Sequence, residues 1–333
     1  MKRREFLAWS GAAVAAGQVP GWALAQQEIK LQAMPLGSIW YVFAASFTKY
    51  IQPALPAGSK VDVVARGGGI GNPIIVNDRK ADVAFANVCT SVWAMQGEEE
   101  IYKGKKYPDI RGLLGGLNEV WIVGMLTEDY IKRTGNDTIE KAITSANPPR
   151  VVMKPAGSTV PPAVRMVFEG VGVTFDQYKA KGGQIIQVDV GQIPQMMRDG
   201  RADLYFESAS PGHPATQEVS LTVPVRFLDL PEKSLAILGR NGMKVHPMPE
   251  SFRGQKGPTK AADFGTNLIA HKDMPDDVAY AITKAVCENR DAIVADHKAM
   301  AGFVAKDAWR PENVGIPLHP GAVKYYKEKG WMA

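Results

Sequence analysis

Apolar positions along the chain fall into two periods. Strand-length runs at 29–33, 60–65 and 83–86 are separated by a helix-length apolar pattern over 41–51 and by a shorter helix ending near Asp78 and Arg79. The same order returns further on: strands at 150–153, 184–188 and 204–206, a helix at 160–170, and a short helix ending near Asp199 and Gly200. Strand, helix, strand, helix, strand, occurring twice, predicts two α/β lobes with parallel sheets. Open sheets of this kind take ligands at the carboxyl ends of their strands, so two facing lobes predict a cleft.

The duplication is also visible in residue identities. Pro35-Leu36-Gly37-Ser38 recurs as Pro155-Ala156-Gly157-Ser158, and the segment 72–87 aligns with 193–208, pairing Pro73 with Pro194, Asp78 with Asp199, Ala81-Asp82 with Ala202-Asp203, and Phe85 with Phe206. The two matches keep the same order and nearly the same spacing, which unrelated segments do not do. Between the copies, 113–125 is expected to cross from lobe one to lobe two, and 221–230 to cross back. Lobe one is then 26–118 with 231–333, the latter adding a helix over 276–293 and a last amphipathic helix over 325–331; lobe two is 119–230.

Composition narrows the compartment more than the fold. The 333 residues are 45% hydrophobic and 22% charged, enough for packed cores. Residues 1–25 read as an export signal: basic Lys2-Arg3-Arg4, an apolar stretch from Phe6 to Ala16, Pro20, and Ala23-Leu24-Ala25 before a cleavage point at Gln26. Arg3-Arg4-Glu5-Phe6-Leu7 fits a twin-arginine signal, a general secretory signal being the alternative. A periplasmic location is expected. The net charge is +5, of which residues 2–5 supply +2, so nucleic acid is not an expected partner. Cys89 and Cys287 stand far apart and form no CxxC.

The repeated turn carries the candidate chemistry. Glycine permits the tight turn, serine caps the following helix, and the helix tip attracts an anion. Two such tips aimed into one cleft would hold a carboxylate; plain helix capping is the alternative. Trp40 and Tyr41 follow the first turn, and Arg66 enters the run Gly67-Gly68-Gly69-Ile70-Gly71-Asn72, from which a guanidinium can grip a carboxylate. That run fails both GxGxxG and GxxxxGK[ST], which disfavours a nucleotide. Ser46-Phe47-Thr48-Lys49 matches SxxK without its partner motifs. His213, His246, His271, His297 and His319 show no metal-ligand spacing, so neither a metal, a cofactor nor a catalytic residue is expected.

Taken together, Gly37-Ser38-Ile39-Trp40-Tyr41, Gly67 to Asn72, Arg79 to Ala84, Pro155 to Thr159, Gly200-Arg201-Ala202-Asp203, Gly212-His213-Pro214, Met274 to Tyr280 and the ending Ile316 to Tyr326 resemble the TAXI-type solute receptors of TRAP transporters. The resemblance implies a type II periplasmic-binding-protein fold, no catalysis, a monomer that presents its ligand to TRAP membrane permease subunits, and capture of glutamate, 2-oxoglutarate or a related dicarboxylate. Carried over by position, with Arg66 added, the ligand-binding residues are Gly37, Ser38, Trp40, Tyr41, Arg66, Gly68, Asn72, Asn87, Ser158, Thr159, Ser210, His213 and Pro214. Cys89 stands where the family often has Asp, which favours a purely anionic dicarboxylate or oxo acid over glutamate. The rival readings are an exported enzyme on the same scaffold and a receptor that presents ligand to a sensor.

Overall fold

The computed structural model of the protein describes residues 26–333; the expected export signal lies outside the described residues. Its strands are β1 (Glu28–Gln32), β2 (Lys60–Val64), β3 (Val83–Asn87), β4 (Ile110–Leu114), β5 (Trp121–Thr127), β6 (Arg150–Met153), β7 (Gln184–Gln187), β8 (Leu204–Ala209), β9 (Val225–Leu228), β10 (Lys244–Val245), β11 (Ala262–Asp263) and β12 (Thr266–His271). They form two sheets. The first runs β2-β1-β3-β12-β4, and the second β10-β11-β5-β8-β6-β7 with β9 also on β5. This is the two-lobed α/β architecture expected, with sheets that are mixed: β12 lies antiparallel to β3 and β4, and β5 antiparallel to β8 and β9.

The sequence repeat is a structural repeat. In each lobe the order is second strand, first strand, third strand, then an antiparallel strand contributed by a different part of the chain. The repeated Ala-Asp pairs show why those identities persist. Asp82 accepts from the backbone N–H of Lys30 at 2.8 Å and donates its own N–H to the Lys30 carbonyl, locking β3 to β1; Asp203 repeats both bonds with Arg150, locking β8 to β6. Asp203 also takes both arms of the Arg150 guanidinium. These aspartates fix strand register at the starts of β3 and β8 and are not ligand groups.

The helix at Ile39–Ala54 forms because Ile39, Phe43, Phe47 and Ile51 recur every fourth residue, and that face is buried against the first sheet. Phe43 and Phe47 are fully buried, each contributing roughly 2–3 kcal/mol. Ser38 starts the helix, and Leu55-Pro56 stops it. In lobe two, Gly157 and Ser158 precede the helix Val160–Gly170.

Two boundaries differ from the sequence expectation. The segment 221–230 does not cross back: Val225–Leu228 pairs with β5 as the counterpart of β4, each strand following the helix after its lobe's third strand. Residues 231–263 also stay with the second sheet, adding the helix Glu232–Arg240, β10 and β11; the return is made at 264–265 into β12. The expectation erred because an edge strand and a crossing strand carry the same apolar pattern. The outward crossing is 115–120, between β4 and β5. Crossing segments hydrogen-bond to each other through Phe264 N–H to Val120 O and Leu117 N–H to Thr266 O, forming a two-stranded hinge. The C-terminal helices Asp276–Glu288 and Pro320–Glu328 pack together on lobe one. Among the described residues no helix is long and apolar enough to cross a membrane.

Candidate functional site

The turns after β1 and β6 have the same geometry. Gly37 and Gly157 hold φ of +87° and +95°, the left-handed region that favours glycine; the serine that follows accepts an amide two residues on, Ser38, the helix cap, from Trp40 N–H at 3.3 Å and Ser158, one residue ahead of the cap Thr159, from Val160 N–H at 3.2 Å. Both serines line one cavity between the lobes, together with Met34, Ile39, Trp40, Gly69, Asn87, Val120, Lys154, Thr159, Ser208 and His213. The lobes meet so closely that this cavity measures about 20 Å³. The second helix tip is poorer in donors than expected, since Pro161 and Pro162 remove two amides from its first turn.

Closure is built into the glycine run. Gly157 O accepts from Ile70 N–H at 3.1 Å and Gly71 N–H at 3.3 Å across the cleft, and Thr159 Oγ1 donates to Asn87 Oδ1 at 2.6 Å. A Cβ on Gly68 would lie 2.4 Å from Gly157 O, and one on Gly69 1.8 Å from Thr159 Oγ1. The glycines therefore serve the approach of one lobe to the other.

The cation at the cavity is Lys154, at the end of β6 and 3% exposed. Its ammonium pairs with the fully buried Glu207 and donates to Ser208 Oγ at 2.8 Å. Glu207 also accepts from Ser208 N–H and Tyr205 OH. Burial opposes charge on Glu207, but Lys154 beside it, helped by the Tyr205 hydroxyl, holds the carboxyl below its ordinary range. Lys154 lines the cavity and Glu207 does not. An ammonium has three donors, of which two are used here.

His213 caps the helix Pro214–Thr222, its Nδ1 accepting from Thr216 N–H at 3.3 Å, which places the ring proton on Nε2. Burial pulls its pKa down to about 4, against the attraction of Glu207, so the ring is neutral at physiological pH.

Of the residues expected at the site, Ser38, Trp40, Asn87, Ser158, Thr159 and His213 come together around this cavity. Gly68 stands against the opposing turn rather than at the cavity. Gly37 and Pro214 are exposed, and Tyr41 is half-buried outside it. Arg66 is exposed and away from the cavity, because its glycine-rich loop turns its backbone, not its side chain, toward the other lobe. Asn72 is a buried cross-link: Oδ1 accepts from Gly68 N–H, and Nδ2 donates to Ala33 O and Phe85 O, leaving no amide proton for an anionic ligand. The Ser210 hydroxyl is buried with no partner, just beyond β8. Cys89 and Cys287 are both free and buried; burial pushes the Cys89 thiol up, so it is a packing group.

The sequence reasoning missed Lys154 and Ser208, although the repeat contains the signal. Ser208 aligns with Asn87, and Lys154 with Met34, each at the carboxyl end of an equivalent strand. The lobes thus present unlike walls: lobe two gives only polar side chains, Lys154, Ser158, Thr159, Ser208 and His213, whereas lobe one adds apolar Met34, Ile39 and Trp40 to polar Ser38 and Asn87.

Solved structures of similar fold include MatC from Rhodopseudomonas palustris with bound malate, at 12% identity over 92% of this chain and 98% of that one, TM-score 0.55. A protein of Bordetella bronchiseptica RB50 matches at 12% identity over 92% and 98%, TM-score 0.52. The periplasmic nitrate-binding protein NrtA from Synechocystis PCC 6803 matches at 12% over 88% and 68%, TM-score 0.50. At such identities the likeness is one of fold, that of the two-lobed periplasmic binding proteins. The sequence itself matches a family over residues 32–330, and on that match the protein belongs to the NMT1-like family.

Proposed function

We propose that the protein is an extracytoplasmic solute-binding protein, not an enzyme, that closes its two lobes on a small organic acid. The observation that carries this reading is the cavity shared by the two repeated turns, with the buried Lys154 ammonium in its wall and Glu207 behind it. With the lobes parted enough to widen the cavity beyond its present room for about one water, the carboxylate of the acid is received by the remaining Lys154 donor, Ser208 and the His213 Nε2–H from lobe two, while its carbon body rests on Met34, Ile39, Trp40 and Val120. Glu207 is already occupied by Lys154, Tyr205 and Ser208, so an amino acid's ammonium finds no free carboxylate there. A dicarboxylate or oxo acid is preferred to glutamate on that ground. A malate-bound relative of the fold supports an acid ligand.

Delivery is to a membrane permease. The TAXI-like motifs favour a TRAP permease driven by an ion gradient, and a leader cleaved after Ala25 would deliver the mature chain, from Gln26, to the periplasm, where it would act as a monomer.

Calorimetric titration of the purified protein with pyruvate, succinate, 2-oxoglutarate and glutamate tests the ligand class. One-site binding of an oxo acid or dicarboxylate, abolished by Lys154→Met, is expected; no binding of any of these acids, or binding indifferent to Lys154, overturns it. Cellular uptake of the bound acid should resist ATP depletion and collapse with the ion gradient, whereas ATP-dependent uptake would assign an ABC permease.

A further inference from the structure

The two crossing segments and the loop after β10 bring three metal-binding side chains together, none of which lines the cavity between the turns. Glu119 lies in the outward crossing, Asp263 ends β11 just before the return, and His246 follows β10, whose antiparallel pairing with β11 sets Lys244 opposite Asp263. We propose that this hinge cluster, Glu119, His246 and Asp263, is a binding site for a divalent transition metal of the zinc class.

One potential ligand atom from each residue lies within 4.8 Å of the others, the only such group of three among the described residues. His246 Nε2 stands 3.5 Å from Glu119 Oε1 and 3.7 Å from Asp263 Oδ2, too far for good hydrogen bonds. Ligands at about 2.1 Å from a tetrahedral ion are separated by about 3.4 Å, so small rotations of these side chains suffice. Support is already present behind the ligands. Asp263 Oδ1 accepts from Val120 N–H at 2.6 Å and Gly265 N–H at 2.8 Å, one amide from each crossing segment, which pins the carboxylate and leaves Oδ2 toward His246. The Trp121 ring meets the His246 ring edge-on, with centroids 5.3 Å apart.

Access is open. Glu119 and Asp263 line a cavity of about 250 Å³, shared with Asp307, Glu312 and a single cation, Lys244, whose ammonium donates to Asn313 Oδ1 at 3.3 Å. The surplus of carboxylates draws a cation in, and the cavity supplies water for a fourth position. An imidazole with two carboxylates suits zinc rather than calcium or magnesium, which favour oxygen ligands. Residues 119, 246 and 263 follow no sequence motif, which is why the expectation of no metal arose from spacing alone.

The test is calorimetry of the chelator-treated protein with zinc chloride, in the absence of any organic acid, with cobalt(II) visible absorption as a second readout. One site with a tetrahedral cobalt spectrum is expected. His246→Ala should weaken binding by more than about a hundredfold and Glu119→Gln by about tenfold. His271→Ala, which removes an imidazole beside Asp109 and Asp273 elsewhere on the molecule, should leave binding unchanged. Melting of each metal-free variant checks its fold, and Glu119→Gln, at an exposed position, carries the test if His246→Ala does not fold. No zinc binding, equal binding by the folded His246 and Glu119 variants, or loss in His271→Ala instead overturns the proposal.

Discussion

Thr159 Oγ1 donates to Asn87 Oδ1 at 2.6 Å across the cleft, and Asn87 Nδ2 donates in turn to Gly265 O in the return crossing. One chain of hydrogen bonds therefore links the lobe-two turn, the end of β3 and the hinge. This bond exists only when the lobes are together. Thr159→Val keeps the side-chain shape while removing the donor, leaving the Asn87 acceptor unsatisfied in the closed form alone. Ligand affinity should fall about tenfold, with the thermal midpoint of each lobe nearly unchanged. Calorimetry alongside thermal unfolding of the ligand-free protein checks both.

A steric test separates closure from ligand contact. Gly68 lies outside the left-handed φ range, and the nearest atoms its Cβ would crowd all belong to lobe two: Gly157 O at 2.4 Å, Gly157 C at 3.0 Å and Ser158 N at 3.2 Å. Gly68→Ala should fold normally and lose at least about a hundredfold in affinity, because the closed form is blocked. Gly71→Ala, whose Cβ meets nothing within 4 Å, is the matched control and should bind as the parent does. Small-angle scattering with saturating ligand should show compaction in the Gly71 variant and none in the Gly68 variant.

The Lys154–Glu207 pair makes opposite demands on stability and binding. Lys154→Met strands a buried carboxylate, a loss of about 3–5 kcal/mol, whereas Lys154→Met with Glu207→Gln removes both charges and should recover most of it. If Lys154 is the ligand's cation, the double variant regains stability without regaining affinity. Urea unfolding and calorimetry on the same samples distinguish the two roles, and recovery of binding in the double variant would remove Lys154 from the site.

How far the sequence carried this picture depends on what each signal encodes. Local apolar period and the repeated turns placed β1, β2, β3, β6, β7 and β8 and their helices within a few residues, because those elements are set by neighbours in the chain. Ser38 and Ser158 were legible for the same reason, each accepting an amide two residues on within its own turn. The return crossing was not legible: pairing of β9 with β5 and of β11 with β5 is long-range, and an apolar strand does not announce which sheet it joins.

The misplacement of the cation has a related cause. Arg66 is prominent in sequence because it borders a glycine run, yet its side chain faces solvent, while Lys154 sits unmarked before Pro155. Had Met34 and Lys154 been compared as equivalent strand ends, the unlike walls of the cleft would have been visible. The zinc-class cluster lies beyond any such comparison, since its three residues come from separate segments that only the hinge joins.

His213 gives the protein a pH dependence whose sign is fixed by its burial. In the folded chain the ring titrates at about 4, below its ordinary value of 6.5, since burial outweighs the attraction of Glu207 and the nearby Lys154 ammonium adds to the repulsion. Between those two values the unfolded chain binds the proton first, so folding stability contributed by the neutral ring is full above about pH 6.5 and drains away as pH falls toward 4. By pH 5 the loss relative to pH 7 amounts to roughly 2 kcal/mol from this one group. His213→Asn retains a capping side chain for Thr216 N–H and removes the titration. Urea unfolding at pH 7 and pH 5 should therefore show a larger drop in the parent than in the variant. Equal drops would mean that the ring gains its proton inside the fold as easily as outside it, and that the buried, neutral donor assigned to His213 in the cleft does not exist.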